Sequence, residues 1–215
     1  DIRYFSTEDL YNISRESLYL SDLHHKNIVK MYGSFSYDNF VYIIMDYCRG
    51  GELTEICSEK ANVAENTLKN YFNQIQDAVR FIHSNNVIHR DLKPNNILFL
   101  DENKTQLVII DFGISGTCNG YNREIIKAGT LKYTPPEIVL GKEYQSSPKI
   151  DIWAMGIILY LMVFKTFPFD GSDEEVRKKI CFQNLTFPLK CKKIKKSLLN
   201  LLHGLLTKDP VQRID

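Results

Sequence analysis

Between Glu65 and Ser84 the apolar positions Leu68, Tyr71, Phe72, Ile75, Val79 and Ile82 recur at helical intervals, and this spacing predicts one amphipathic helix. Two β-rich runs, NIVKMYGSF (27–35) and NFVYIIMDY (39–47), bracket the polar turn SYDN, the pattern of a hairpin. CRGGEL (48–53) then interrupts the pattern with two glycines. Short apolar segments, NVI (86–88) and ILFL (97–100), flank a polar octapeptide. The turn DENKTQ leads into LVII (107–110), which reads as a buried strand. After Pro148 the pattern turns helical in DIWAMGIILYLMVF (151–164), SDEEVRKKICF (172–182) and KSLLNLLHGLLT (196–207). Near the start, Ser6 and Thr7 precede Glu8 and Asp9 as a helix cap precedes first-turn acids. Leu10, Ile13, Leu20 and Leu23 continue from there at helical spacing. The order predicts an α+β fold of two lobes: 1–46, rich in β-structure, and 47–215, mostly helical, joined near CRGG.

Composition narrows the classes without choosing among them. The 215 residues are 44% hydrophobic and 25% charged, as in an ordinary globular protein with a sizeable core. A formal net charge of +1 gives no reason to expect nucleic acid or an anionic membrane as a partner. Five scattered cysteines (48, 57, 118, 181 and 191), never in a CxxC pair, suit a reducing compartment better than a disulfide framework. The longest apolar run, around WAMGIILYLMVF, is shorter than a membrane span and reads as a buried core helix. No signal-peptide pattern, repeat or low-complexity segment is seen in these 215 residues.

Three separated strings carry the chemistry. HRDLKPNN (89–96) places a base, two cations, an acid and an amide between two apolar segments. Within it, Asp91 and Asn96 lie five residues apart, spaced for two roles on one loop: a proton acceptor and an amide oxygen for a metal. DFG (111–113) ends an apolar strand, so the Asp111 carboxylate emerges where a strand end meets a cleft. GTLKYTPPE (129–137) follows a polar loop. Taken singly, HRD is more often a salt-bridged surface loop and DFG a turn after a strand. Their joint occurrence in this order, in strand–loop–strand context, is what gives them weight.

Together these strings resemble the eukaryotic protein kinase family, serine/threonine type, and the match runs from Glu16 to Arg213. HRDLKPNN is similar to the family's catalytic loop, DFG to its metal-binding loop, and TPPE to the end of its activation segment. DIWAMGIILY resembles the central helix of the large lobe, and KDPVQR the Arg-bearing turn near that lobe's end. Lys93 is the serine/threonine form of the loop; GGEL, GTLKY and FPFDG lean towards the calcium/calmodulin-dependent branch.

The resemblance implies a bilobal kinase fold that transfers the ATP γ-phosphate to a protein Ser or Thr hydroxyl. Asp91 orients the hydroxyl and takes its proton, Lys93 neutralises the moving phosphoryl group, and Asp111 with Asn96 holds Mg²⁺ through hard oxygens. Thr130 ties the substrate platform to Asp91 and Lys93. Glu16, eleven residues before Asn27, stands where the family carries its regulatory-helix glutamate. The alternative for Glu16 is one more acid on a solvated helix face. Met45 fits the gatekeeper, backbone groups of Asp46 and Cys48 face the purine edge, and Leu98 forms the pocket floor. Without the resemblance Met45 and Leu98 read as plain core residues. Glu52 is placed to reach either a ribose hydroxyl or a substrate arginine. Glu137 and Arg213 are expected as a buried, structural ion pair.

The resemblance also implies an intracellular location, cytoplasmic or nuclear, and regulation by segments outside the chain. Some departures stand out. Ala-Pro-Glu is replaced by Pro135-Pro136-Glu137. Ile126 stands at the usual activation-loop phosphosite, so activation is expected not to depend on phosphate there; Glu124 is the expected partner of Arg90, with a solvated Arg90 the alternative. Asn95 and Leu161 stand where Arg-selecting kinases carry acids. No GxGxxG and no strand lysine precede Glu16, and both ends look cut, so little ATP turnover is expected of this stretch alone. Two other readings compete: a pseudokinase that only binds, and a small-molecule phosphotransferase, which lacks the segment from Gly129 to Glu137.

Overall fold

The computed structural model describes residues 16–38, 40–58, 61, 63–117, 131–141, 147–188 and 194–215. The expected cap at Ser6 and Thr7 lies outside the described residues, and residues 16–22 are helical (α1). Leu20 and Leu23 from this stretch are buried, as their spacing predicts. The hairpin follows as β1 (Met31–Tyr37) and β2 (Phe40–Met45), paired antiparallel from Tyr37 opposite Phe40 to Met31 opposite Met45. A register shift between Met31 and Gly33 bends the β1 end of the ladder.

Beyond the hairpin come the short α2 (Thr54–Cys57) and the long α3 (Glu65–Ser84). The predicted apolar face of α3 is the one that packs inward: Tyr71, Phe72, Ile75, Val79 and Ile82 are all buried. Four short strands then make two two-stranded antiparallel sheets. β3 (Val87–Ile88) pairs with β6 (Gly116–Thr117), and β4 (Ile97–Phe99) pairs with β5 (Leu107–Ile109). NVI, ILFL and LVII therefore all form strands, and each pairing brings the two loops between them to one end. A parallel bridge from Ile28 to Ile109 joins the segment before β1 to this small sheet. At the CRGG break, Gly50 passes so close to β4 that a Cβ there would overlap the Asp101 carbonyl and the Phe99 side chain. Only a residue without a side chain lets the two backbones meet.

The rest is helical: α4 (Pro136–Val139), α5 (Lys149–Phe164), α6 (Asp173–Phe182) and α7 (Lys196–Leu205). α5 is hydrophobic all round, and every residue from Ile150 to Met162 is buried, so it runs through the core rather than along its surface. Trp153, in its second turn, is stacked on Phe169, with ring centroids 6.0 Å apart. α3, α7 and α2 pack around α5. Among the described residues no helix is long and apolar enough to cross a membrane. The mixture of small sheets and a helical mass is the bilobal α+β arrangement expected from the motifs.

Candidate active site

The catalytic-loop string is held from below by a residue outside it. Asp151, fully buried in the first turn of α5, accepts the backbone N–H of His89 and of Arg90, both at 2.9 Å. It also pairs with His83 Nε2 at 2.8 Å from the end of α3. Burial alone would push the Asp151 carboxyl up. The His83 hydrogen bond, the nearby His83 and His89 rings and the His89 N–H outweigh it and hold the carboxyl below its ordinary value. His89 Nδ1 accepts the Asp91 N–H at 3.3 Å, which leaves Nε2 as the protonated nitrogen, donating to the Ile110 carbonyl at 2.9 Å. The same ring meets Phe112 edge-on at 4.9 Å. Arg90 is held at φ 69°, in the left-handed region, and Gly116 makes room for its guanidinium, since a Cβ there would overlap it. A non-glycine residue keeps that backbone only where its surroundings over-determine it, and the two Asp151 bonds do so.

On this support the functional side chains converge. Lys93 Nζ lies 2.6 Å from Asp91 Oδ2, and both are largely buried. Asn96, in the 3₁₀ turn Pro94–Asn96, donates Nδ2 to the Asp91 carbonyl at 2.9 Å and to Asp91 Oδ2 at 3.1 Å. It also reaches Asp111 Oδ2 at 3.4 Å. Asp111 follows β5 with φ 66°, a second left-handed non-glycine residue, and its Oδ1 accepts the Gly113 N–H. Glu16, from α1, accepts the Phe112 backbone N–H. Burial and the adjacent Asp111 carboxylate push its carboxyl above the ordinary value, and the Phe112 bond only partly opposes them. Glu16 is thus drawn towards the DFG turn and does not lie on a solvated helix face.

The donor set fits a hard divalent cation. Asn96 makes its contacts to Asp91 and Asp111 through its amide N–H groups, so its Oδ1 is not used in them. Among the described residues no three His, Cys, Asp or Glu side chains form a cage. Two protein oxygens, with phosphate and water completing an octahedron, suit Mg²⁺.

Met45 closes β2 and is partly exposed. Asp46 gives its backbone N–H to the Lys30 carbonyl at 3.0 Å and accepts Tyr32 Oη on its side chain at 2.7 Å. Of its backbone groups this leaves the carbonyl for a ligand. Cys48 is half-buried, and burial raises its thiol, helped by Asp46. Leu98 lies in β4, half-buried, with Glu52 bridged to it from the opposite side. Glu52 accepts Thr54 Oγ1 at 2.9 Å and Asn95 Nδ2 at 3.0 Å. Thr130, Ile126, Glu124 and Gly129 lie outside the described residues. Leu161 is buried within α5. Glu137 and Arg213 form the expected buried pair through two bonds of 2.8 Å. Asp151 and His83 were not singled out from the sequence. The one available signal was the Asp151 carboxylate at the start of the otherwise apolar α5.

Residues 3–215 match the family model described as protein kinase domain. The chain belongs to this family. It is 37% identical over 185 residues to the serine/threonine-protein kinase kin-29 of Caenorhabditis elegans, covering 86% of this chain and 22% of that protein. It is 40% identical over 171 residues to human NUAK family SNF1-like kinase 1, covering 78% of this chain and 25% of that protein. With the probable serine/threonine-protein kinase MARK-A of Dictyostelium discoideum it shares 35% identity, over 96% of this chain and 19% of that one. The chain thus spans about a fifth to a quarter of the length of these relatives. Calcium-dependent protein kinase 6 of Plasmodium berghei, 36% identical over 94% of this chain and 14% of that one, agrees with the leaning of the sequence towards the calcium/calmodulin-dependent group.

Proposed function

We propose that the chain is the catalytic part of a serine/threonine protein kinase, transferring the ATP γ-phosphoryl group to a protein hydroxyl. The observation that carries this reading is the convergence of Asp91, Lys93, Asn96 and Asp111 within hydrogen-bond reach of one another. Phosphoryl transfer needs little covalent help from the protein; positioning and charge neutralisation do most of it. Asp91 orients the substrate hydroxyl and accepts its proton. Lys93, beside it, neutralises charge on the oxygens of the group in transit. Asp111 and Asn96 would hold Mg²⁺, which would supply charge screening for the phosphates. The purine lies over Leu98 and beside Met45, against the Asp46 carbonyl and the Cys48 backbone, in the cleft between lobes 1–46 and 47–215. Glu16 steadies the DFG turn through the Phe112 N–H.

The relatives' names, all kinases, support the same reading. Use of ATP and the free thiols of Cys48, Cys57 and Cys181 fit an intracellular location, cytoplasmic or nuclear. Regulation by segments outside the catalytic part belongs to the same proposal. In the full chain, Asp91→Asn lowers peptide phosphorylation by about a hundredfold or more while nucleotide binding is retained. Activity within a few-fold of wild type removes Asp91 from its role. Nucleotide binding with no phosphoryl transfer in the wild type replaces the reading with a pseudokinase.

A further inference from the structure

We infer that Tyr32 is a positioning residue for the nucleotide: its hydroxyl fixes Asp46 so that the Asp46 carbonyl meets the exocyclic amino group of adenine. The inference rests on the nucleotide pocket of the kinase reading above and adds a residue that governs the choice of base. Tyr32 is the extra residue of the register shift in β1. Met31 lies opposite Met45 and Gly33 opposite Ile44, and Tyr32 is left between them. A bulge of this kind re-aims the side chain it carries. Here the ring reaches the residue that follows β2, and Tyr32 Oη donates to Asp46 Oδ1 at 2.7 Å. The Lys30 ammonium lies over the face of the same ring, 4.9 Å from its centre.

Asp46 is thereby held through both its backbone and its side chain. Its N–H donates to the Lys30 carbonyl at 3.0 Å, its Oδ2 accepts the Lys30 N–H at 3.3 Å, and its Oδ1 accepts Tyr32. The two Lys30 bonds close a ring between the residues. The Tyr32 bond is the shortest of the three and is charge-assisted, so it is the one that stops the carboxylate from turning. The carboxylate also raises the Tyr32 phenol, chiefly through that bond, and the hydroxyl therefore stays a donor across the neutral range. With N–H and side chain engaged, the carbonyl is the group that Asp46 can offer to a ligand. A carbonyl oxygen only accepts. It suits the N–H of an exocyclic amine and opposes a base that presents an oxygen at the same edge. Tyr32 is exposed, so what its hydroxyl organises is Asp46 and not the core.

The test measures, in the full chain, dissociation constants for ATP and for purine riboside triphosphate, which is ATP without its exocyclic amino group. Wild type is expected to bind ATP about tenfold or more tighter than the analogue. Tyr32→Phe removes one oxygen and leaves the ring. It is expected to lower that ratio about threefold by weakening ATP, with the analogue's constant and the peptide KM unchanged. Asp46→Ala lowers the ratio at least as far, and adding Tyr32→Phe to it changes nothing further, because the hydroxyl then has no carboxylate to hold. A merely structural role would instead lower the melting temperature or weaken both nucleotides alike, and leave the ratio alone. A ratio unchanged in Tyr32→Phe overturns the inference, and so does a wild type that binds the analogue as tightly as ATP. In either case peptide phosphorylation by the wild type leaves the kinase reading standing. The expected ratios without any phosphoryl transfer support the inference and overturn the kinase reading. A wild type that binds neither nucleotide overturns both.

Discussion

Asp151 shows how much one buried carboxylate can organise. Its two oxygens take the His89 and Arg90 N–H groups and the His83 ring, and the catalytic loop rests on those bonds. Asp151→Asn replaces one acceptor oxygen with a donor that faces the same N–H groups. We expect a loss of about 3 kcal/mol, since hydrogen bonds to charged groups are among the stronger ones and a buried donor left unmade adds to the cost. The pH dependence has a definite sign. The folded carboxyl is held below its ordinary value, so its contribution is fully present above the unfolded pKa and is lost as pH falls through the folded one. Melting curves of both proteins, from about pH 7 down to about pH 3, are expected to converge only at the acid end. A gap that stays constant across that range contradicts this account.

Among the elements, α6 is the one whose start is written most plainly. Ser172 Oγ accepts the Glu175 N–H while Glu175 Oε2 accepts the Ser172 N–H at 2.8 Å, a reciprocal capping box. Asp173, Glu174 and Glu175 add negative charge at the positive end of the helix dipole. The contacts from Ser172 and the charge of Lys179 hold the Glu175 carboxyl below its ordinary value. Ser172→Ala is expected to destabilise the chain by about 1 kcal/mol, read as a shift in urea midpoint with an unchanged slope. The site lies on neither the catalytic loop nor the DFG turn, so catalytic constants should move little. α5 needs no such cap: with its whole circumference buried, packing holds it, and its N-cap Pro148 makes no side-chain bond.

For the whole molecule, Arg213 is the far anchor. It is buried, pairs with Glu137 through two bonds of 2.8 Å, and also donates to the carbonyls of Thr207, Lys149 and Lys208. Its guanidinium lies 5.1 Å from the centre of the Trp153 ring. One side chain thereby joins α4, the start of α5 and the turn after α7. Removing either partner leaves an uncompensated buried charge, so Arg213→Met or Glu137→Leu is expected to cost about 3–5 kcal/mol. A desolvated pair adds little net stability over an apolar one, and the double variant is expected to recover much of that loss. Chemical denaturation of the four proteins in the cycle measures it. A double variant as unstable as the sum of the singles would mean that Arg213 acts mainly through the three carbonyls.

What could be read along the chain is what depends on neighbours in the chain. The α3 stripe, the hairpin around SYDN, the cap of α6 and the order HRDLKPNN, DFG, PPE are all local patterns. Periodicity and turn chemistry act over a few residues, and phosphoryl chemistry calls for short strings of fixed residue types. Folding alone decided which distant groups meet. Asp151 lies sixty-two residues from His89, and no spacing rule links them. Glu52 and Asn95 lie forty-three residues apart, and nothing local in either stretch signals the bond between them. Glu16 was placed by its distance from Asn27, yet its meeting with the Phe112 N–H depends on how α1 lies against the DFG turn. A hydrogen bond between remote residues has no local signature, because its geometry is set by the packing of the elements that carry its two ends.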